Sequence, residues 1–280
     1  DLIMSGPFGS NQFFGVAADS TYVPKGAIWL DGTADYLSKT PGVAGNRKTW
    51  TFSAWVKRSQ ISESTNNRIF DAGTSSVEYL LFGSGGSAGT DQIEVTGVDG
   101  SGSTCLETTS VYRDPSAWMH VVLVIDTANA ISSDRANLFV NGRQLTDFDT
   151  NTAPSLNDES HVNNTVQHTI GVNGYNTTSQ FFNGYMSEII LLDGYAASPS
   201  DFGTEDSNGV WIPKDPTTIV TDNKGTCGFW LDCADSSDLG NDVSGNGNDW
   251  TLNSITSANW TYDRPADSGT DTGNYATWNP

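Results

Sequence analysis

Thr49-Trp50-Thr51-Phe52-Ser53-Ala54-Trp55-Val56-Lys57-Arg58 is the stretch on which the fold turns. In an extended strand, successive side chains point to opposite faces. Trp50, Phe52, Ala54 and Val56 then share one face, and Thr51, Ser53, Trp55 and Lys57 share the other. That is a strand with one face in a core. Upstream, residues 27–32 and 35–39 read as two more strands joined in a hairpin. Downstream, residues 68–73, 78–83 and 92–96 repeat the pattern between Ser/Gly/Thr turns. Residues 118–126 form the most apolar, β-branched run, which predicts a central strand covered on both sides. Asn141-Gly142 separates residues 137–141 from 143–145, the strongest short hairpin signal, because both residues tolerate positive φ. Residues 168–172 and 185–192 complete the set, and Ser198-Pro199-Ser200-Asp201-Phe202 carries a cap, a first-turn proline and an acidic residue that predict one short helix. No four-turn amphipathic helix is present in the pattern. Many short strands with turn signals between them predict an all-β sandwich or barrel.

Composition agrees. The 280 residues are 36% hydrophobic but only 16% charged, and 33 Asp plus Glu against 13 Lys plus Arg give a net charge of −20. Such a chain builds a real core, and its field repels nucleic acid and anionic membrane surfaces. No run approaches the 18 apolar residues of a membrane helix. The first fifteen residues lack a basic region followed by an apolar run, so no signal peptide is read there. Of three cysteines, Cys227 and Cys233 flank a strand-like segment spanning roughly 20 Å. A disulfide tolerates about 7 Å between Cα atoms, so the pair is expected to stay reduced.

Three regions follow. Residues 1–25 are a Gly-rich arm with scattered aromatics (Phe8, Phe13, Phe14, Tyr22), residues 26–204 a β-domain, and residues 205–280 a C-terminal extension entered through Pro213 and Pro216. The extension either adds strands to the same sandwich, begins a second one or pairs with a neighbour. Its end, from Thr256, is polar and reads as extended.

The segments AIWLDGTADYL, TWTFSAWVKRS, AWMHVVLVID, NLFVNGRQL and FFNGYMSEIILLDGYAASPSDF follow one another between Ala27 and Phe202. In that order they resemble laminin-G-like, concanavalin A-like domains, which implies an antiparallel jelly-roll β-sandwich. Further segments, GFWLDCADSSDLGNDVSGNGNDWTLNS and NYATWNP among them, resemble tail-fibre-like and virion structural proteins of tailed, often marine, bacteriophages. This resemblance implies a non-enzymatic protein of the virion surface, extracellular and homo-oligomeric. It would meet other virion proteins and a host-surface glycan. Two alternatives stay open: a capsid-decorating or filament-forming subunit without a receptor, and a polysaccharide-active enzyme.

Chemistry is sparsely signalled. Glycoside hydrolysis needs a carboxyl pair about 5 Å apart in the retaining case and wider in the inverting one. No strand carries alternating carboxylates. Glu188 and Asp193 differ in parity, as do Asp91 and Glu94. His120 sits in the central strand and reads as a satisfied core histidine, and no nucleophile elbow occurs. The Gly-rich stretch 83–87 lacks the ending of a phosphate loop. Asp242, Ser244, Asn246, Asn248 and Asp249 form an oxygen-rich loop whose composition fits either a calcium site or an Asn/Gly turn. Asp31, Asn141 and Glu188 are further positions where oxygens could gather. For glycan binding, the expected aromatic faces are Trp55, opposite in parity to the core-facing residues, and Tyr175 in the polar loop Asn173-Gly174-Tyr175-Asn176.

Overall fold

The computed structural model describes residues 22–61, 66–73, 78–83, 91–98 and 103–265. Most of the expected arm, residues 84–87 of the Gly-rich stretch and the last fifteen residues lie outside these. In chain order the strands are β1 (Ala27–Asp31), β2 (Tyr36–Lys39), β3 (Thr49–Arg58), β4 (Asn67–Ala72), β5 (Glu78–Phe82) and β6 (Ile93–Thr96). Next come β7 (Thr104–Thr108), β8 (Met119–Asp126), β9 (Ala136–Val140), β10 (Arg143–Gln144), β11 (Phe148–Asn151) and β12 (His168–Ile170). The last are β13 (Asn183–Asp193), β14 (Gly203–Glu205), β15 (Trp211–Pro213), β16 (Phe229–Leu231), β17 (Thr251–Asn253) and β18 (Trp260–Thr261). The short helix foreseen after Ser198 is a 3₁₀ turn, Pro199–Asp201, with Ser198 as its cap. One helix, α1 (Thr217–Asn223), had no clear signal beyond Pro216 before it.

Two eight-stranded antiparallel sheets face each other, as expected. The first runs β10-β9-β8-β3-β13-β1-β18, with β16 also paired to β13, and the second runs β11-β7-β6-β5-β4-β12-β2-β17. Between them lies one core, in which Trp50, Phe52, Ala54 and Val56 meet Phe70, Leu80, Phe82 and Val95. Phe52 and Phe70 stack across the sheets with ring centroids 4.6 Å apart. The Asn141-Gly142 turn joins β9 to β10 with φ of 48° and 75°, the left-handed pair this hairpin requires.

The expected β1–β2 hairpin does not form. β1 pairs with β13 and β18 in the first sheet, and β2 pairs with β12 and β17 in the second. The Asp31 carboxylate accepts the amides of Thr33 and Ala34 at 2.7 and 3.0 Å, and this tight turn carries the chain across the sandwich. The C-terminal extension contributes to both sheets: β16 on β13, β17 on β2 and β18 on β1. Cys105, Cys227 and Cys233 are free and buried. Among the described residues no helix is long and apolar enough to cross a membrane.

β8 lies between β3 and β9 and is covered on both faces, as its apolar run foretold. Its outward Val122 and Val124 join Ile190, Leu192, Phe202, Val220 and Trp230 in a second apolar cluster. His120 lies on the same outer face, fully buried, with Trp55 stacked on it at 4.9 Å. Trp211 Nε1 donates to His120 Nδ1 at 3.0 Å, so the imidazole proton sits on Nε2 and is given to Ser53 Oγ at 2.8 Å. Burial pushes the imidazole down to about 3, so it stays neutral. Truncating His120 to Ala leaves a void and an unaccepted indole N–H. The expected loss, read from thermal or urea unfolding, is about 3 kcal/mol.

Candidate functional site

The outer face of the second sheet is largely polar, in contrast to the apolar outer face of the first, and Arg68, Asp71, Glu94, Thr96 and Thr169 on it are buried. Leu80, Phe82, Ile93, Val95 and Ile170 point into the core, so the alternate positions Tyr79, Glu94, Thr96 and Thr169 point outward. β4 joins them through a bulge. Its register against β5 shifts between Arg68 and Phe70, so that both Ile69 and Phe70 reach the core. In an unbroken strand, residues three apart face opposite ways. The extra residue brings Arg68 and Asp71 onto the same outward face, with Arg68 Nη1 3.5 Å from Asp71 Oδ2.

These side chains form one cluster. The Arg68 guanidinium lies over the Tyr79 ring, 3.4 Å from its centroid, and Nε donates to Gln180 Oε1 at 2.8 Å. Glu94 Oε1 accepts the hydroxyls of Thr96 and Thr104 at 2.8 Å and that of Tyr79 at 3.3 Å. Four buried polar atoms are left without a hydrogen bond: Asp71 Oδ1 and Oδ2, Glu94 Oε2 and Arg68 Nη1. The Gly174 amide points at Asp71, and the Arg68 guanidinium faces it at 3.5 Å. Burial pushes the Asp71 carboxyl up to about 6, partly opposed by Arg68 and that amide. Burial likewise lowers the Arg68 guanidinium and raises the Tyr79 phenol.

A loop between β12 and β13 closes on this cluster. Asn173 Oδ1 accepts the amides of Tyr175 and Asn176, and Gln180 is held at φ 58°. Gln180 Oε1 also accepts from Asn173 Nδ2, tying both loop ends to Arg68. Gly174 is required here, since a Cβ would lie 2.9 Å from Asp71 Oδ1. At the tip Tyr175 is 64% exposed. Beside β7 a cavity of about 140 Å³ is lined by Ser103, Thr104, Thr152 and Ser155 together with Val98, Cys105, Ala153 and Pro154, and Thr104 Oγ1 donates to Glu94 Oε1 at 2.8 Å.

Of the residues expected to bind a glycan, Tyr175 lies in this region and Trp55 does not. Trp55 is 3% exposed, and its outward face is covered by His120, Trp118 and Ala27. Parity placed it on the correct face of β3, but parity does not tell what lies on top.

The loop expected to suit calcium is a hydrogen-bond network. Asp242 accepts from the Trp230 and Ser244 amides on Oδ1 and from Ser244 Oγ and the Asn248 amide on Oδ2, all at 2.8–2.9 Å. Asp249 Oδ1 takes the Asp242 amide, and Ser244 Oγ takes the Asn246 amide. Asn246 and Asn248 turn their Nδ2 groups toward the Gly228 carbonyl. Lone pairs committed to donors do not suit a hard cation, so this loop fits calcium poorly and the turn reading is the better one. Asp31, Asn141 and Glu188 are likewise engaged, in a tight turn, a hairpin and a bond from Trp230 Nε1. The sequence sets Glu94 only against Asp91 and does not single out Arg68 or Asp71, because their pairing arises from the bulge and from neighbouring strands.

A family model described as the concanavalin A-like lectin/glucanases superfamily matches residues 31–201. Among solved structures, one similar chain is a protein from Bacteroides ovatus described as carbohydrate binding, 20% identical with a TM-score of 0.53. The match covers 84% of this chain and 59% of that one, so the chain spans well under two thirds of its length. At that identity the likeness shows the fold. Domain 4 of an extracellular arabinanase from Geobacillus stearothermophilus, in complex with arabinotriose, is 17% identical with a TM-score of 0.42, covering 68% of this chain and 81% of that one. A Ruminococcus gnavus sialidase carbohydrate-binding module bound to α2,3-sialyllactose is 14% identical with a TM-score of 0.36, covering 57% and 87%. No curated protein sequence matches the chain.

Proposed function

The chain belongs to the concanavalin A-like lectin/glucanases superfamily, and we propose that it is a non-catalytic carbohydrate-binding protein whose site is the polar outer face of the second sheet. The observation that supports this is the polar cluster beside the exposed Tyr175 loop, where Asp71 and Arg68 face each other at only 3.5 Å and Glu94 Oε2 has no hydrogen bond. Protein interiors pair more than about 90% of such groups, and each one left open costs about 1–3 kcal/mol. Sugar hydroxyls donate and accept at once, and so complete carboxylates and a guanidinium together. Tyr175 supplies an exposed ring for a sugar face. Tyr79 and Arg68 lie between the Asp71 and Glu94 carboxyls, and Glu94 Oε1 is held by three hydroxyls. That arrangement suits binding better than a paired-carboxylate mechanism.

We propose further that the chain acts as an adhesin on the surface of a tailed-phage particle. The support is the resemblance of its segments to tail-fibre-like proteins. Glycan-array binding by the isolated chain, weakened about fivefold or more in Tyr175→Ala, is the expected result, given that a stacked aromatic contributes on the order of 1 kcal/mol. Immunogold label at fibre tips is expected on intact particles. Label spread over the head with no glycan bound would make the chain a decoration subunit. Reducing ends released from a polysaccharide would make it an enzyme.

A further inference from the structure

Asparagine followed by glycine is a reactive pair. Glycine has no Cβ to shield its amide, so the deprotonated nitrogen reaches the asparagine side-chain Cγ. A bond from that nitrogen to Cγ forms, the Cγ–Nδ2 bond breaks, and ammonia leaves. Water then opens the succinimide ring at either carbonyl, giving aspartate or, with the main chain rerouted through the side chain, isoaspartate. The sequence holds five such pairs: Asn141-Gly142, Asn173-Gly174, Asn183-Gly184, Asn208-Gly209 and Asn246-Gly247. Attack requires the asparagine side chain to swing over the following amide, so bonds to other parts of the fold oppose it.

Four of the five pairs are tied to other elements. Asn183 lies in β13 with Nδ2 donating to the Asp31 carbonyl at 3.2 Å, and Gly184 is paired with Leu30 and Arg58 on the two neighbouring strands. Asn173 Oδ1 accepts the Tyr175 and Asn176 amides, and the Gly174 amide points at Asp71. Asn141 Oδ1 accepts the His120 amide at 2.8 Å, and the Trp211 ring lies against Gly142. Asn246 Nδ2 donates to the Gly225 and Gly228 carbonyls at 3.0 and 2.9 Å. Asn208 differs. It is exposed in the turn between β14 and β15, and its pair bonds to Asp206 of the same turn. The Asn208 amide donates to Asp206 Oδ1 at 2.8 Å, Asn208 Nδ2 to Oδ2 at 3.2 Å, and the Gly209 amide to the Asp206 carbonyl at 3.0 Å. A Cβ built on Gly209 would meet no atom within 4 Å. Opening this turn therefore detaches no other element, and exposed loop tips are where local opening costs least.

We propose that Asn208 is a self-modification site, converting to aspartate and isoaspartate in the folded protein ahead of the other four pairs. The product bears on the fold because the same hairpin carries Trp211, whose Nε1 donates to His120 and whose ring covers Gly142 and Gly203. Isoaspartate lengthens the main chain by a methylene inside that hairpin, and either product adds a carboxylate beside Asp206.

The test is peptide mapping of the full chain by mass spectrometry after warm incubation at mildly alkaline pH, with a parallel sample in guanidinium chloride. In native buffer, amide-to-acid conversion at Asn208 should run about tenfold or more ahead of each other pair, the factor set by the one or two further hydrogen bonds that opening must break there. In denaturant the five rates should converge. Asn208→Gln should remove most of the isoaspartate that enzymatic methylation detects in the aged native protein. Conversion in native buffer that begins at another pair overturns the assignment. So does an Asn208 that stays intact in native buffer while the denatured chain converts, since the Asp206 turn would then protect it unaided. The same order of rates in denaturant as in native buffer would place the cause in flanking sequence and overturn the structural argument.

Discussion

Replacing Asp193 by Ala is expected to destabilise the protein by about 3–5 kcal/mol, the range for disrupting a buried hydrogen-bond network. Asp193 ends β13 opposite Trp50, where the core closes. Its Oδ1 accepts the Asn46 amide at 2.6 Å and Asn163 Nδ2 at 3.1 Å, and its Oδ2 accepts the amides of Thr226 and Cys227 at 2.8 and 2.9 Å. One carboxylate thus holds three segments far apart in sequence, among them Thr226-Cys227 of the C-terminal extension. The chain has adapted its backbone to that contact: Gly225, at φ +57°, lies so close to Asp193 that any side chain there would collide with it. Truncation leaves three amides and a carboxamide facing a void, each costing about 1–3 kcal/mol less what entering water recovers. Asp193→Asn should lose nearly as much. Either amide orientation turns an NH₂ group toward two existing donors. Urea unfolding with a loss under about 1 kcal/mol in both variants would mean that the three segments hold without the clamp.

Asp193 was visible in the sequence only as an unpaired carboxylate of the wrong parity, and the reason is general to this chain. Alternation reads faces well while a strand stays regular. It placed Trp50, Phe52, Ala54 and Val56 in the core and Trp55 outside it, and the Asn141-Gly142 pair located its hairpin. It fails where a bulge inserts one residue. Two such bulges matter here. The one in β4 sets Arg68 and Asp71 side by side, and the one in β13 shifts the register between Ser187 and Ile190. Neither contains a glycine that would flag it. Strand partners were equally hidden, so β1 and β2 looked like a hairpin although they belong to different sheets. The Asp242–Asp249 loop shows a third limit: composition counts oxygens, but not which of them already accept a hydrogen bond.

The β13 bulge also sets the expected pH profile. Glu188 sits in it at φ 50°, 4% exposed, with Oε2 accepting Trp230 Nε1 at 2.9 Å and Tyr22 and Asp232 facing the carboxyl. Burial, more than any neighbour, pushes the carboxyl from 4.5 up to about 8. The unfolded chain therefore releases this proton near pH 4.5 and the folded protein only near pH 8. Between those values the unfolded state binds fewer protons, so stability falls as pH rises. Other buried groups interfere at the acid end. Asp71, raised to about 6, adds the same slope, whereas His120 and His168, lowered to about 3 and about 4, give the opposite slope below about 6.5. Two carboxyls and two imidazoles thus roughly cancel from pH 4.5 to 6. Above pH 6.5 only Glu188 of these four still titrates. Wild-type stability should drop by roughly 2 kcal/mol from pH 6.5 to 8, at about 1.4 kcal/mol per unit. Glu188→Gln keeps an acceptor for Trp230 and cannot ionise, so its stability should be flat over that window and exceed wild type increasingly toward pH 8. Urea titrations at half-unit steps read the difference. Parallel curves for the two proteins above pH 6.5 would show that Glu188 ionises in the folded state at an ordinary pH and that water reaches it behind Trp230.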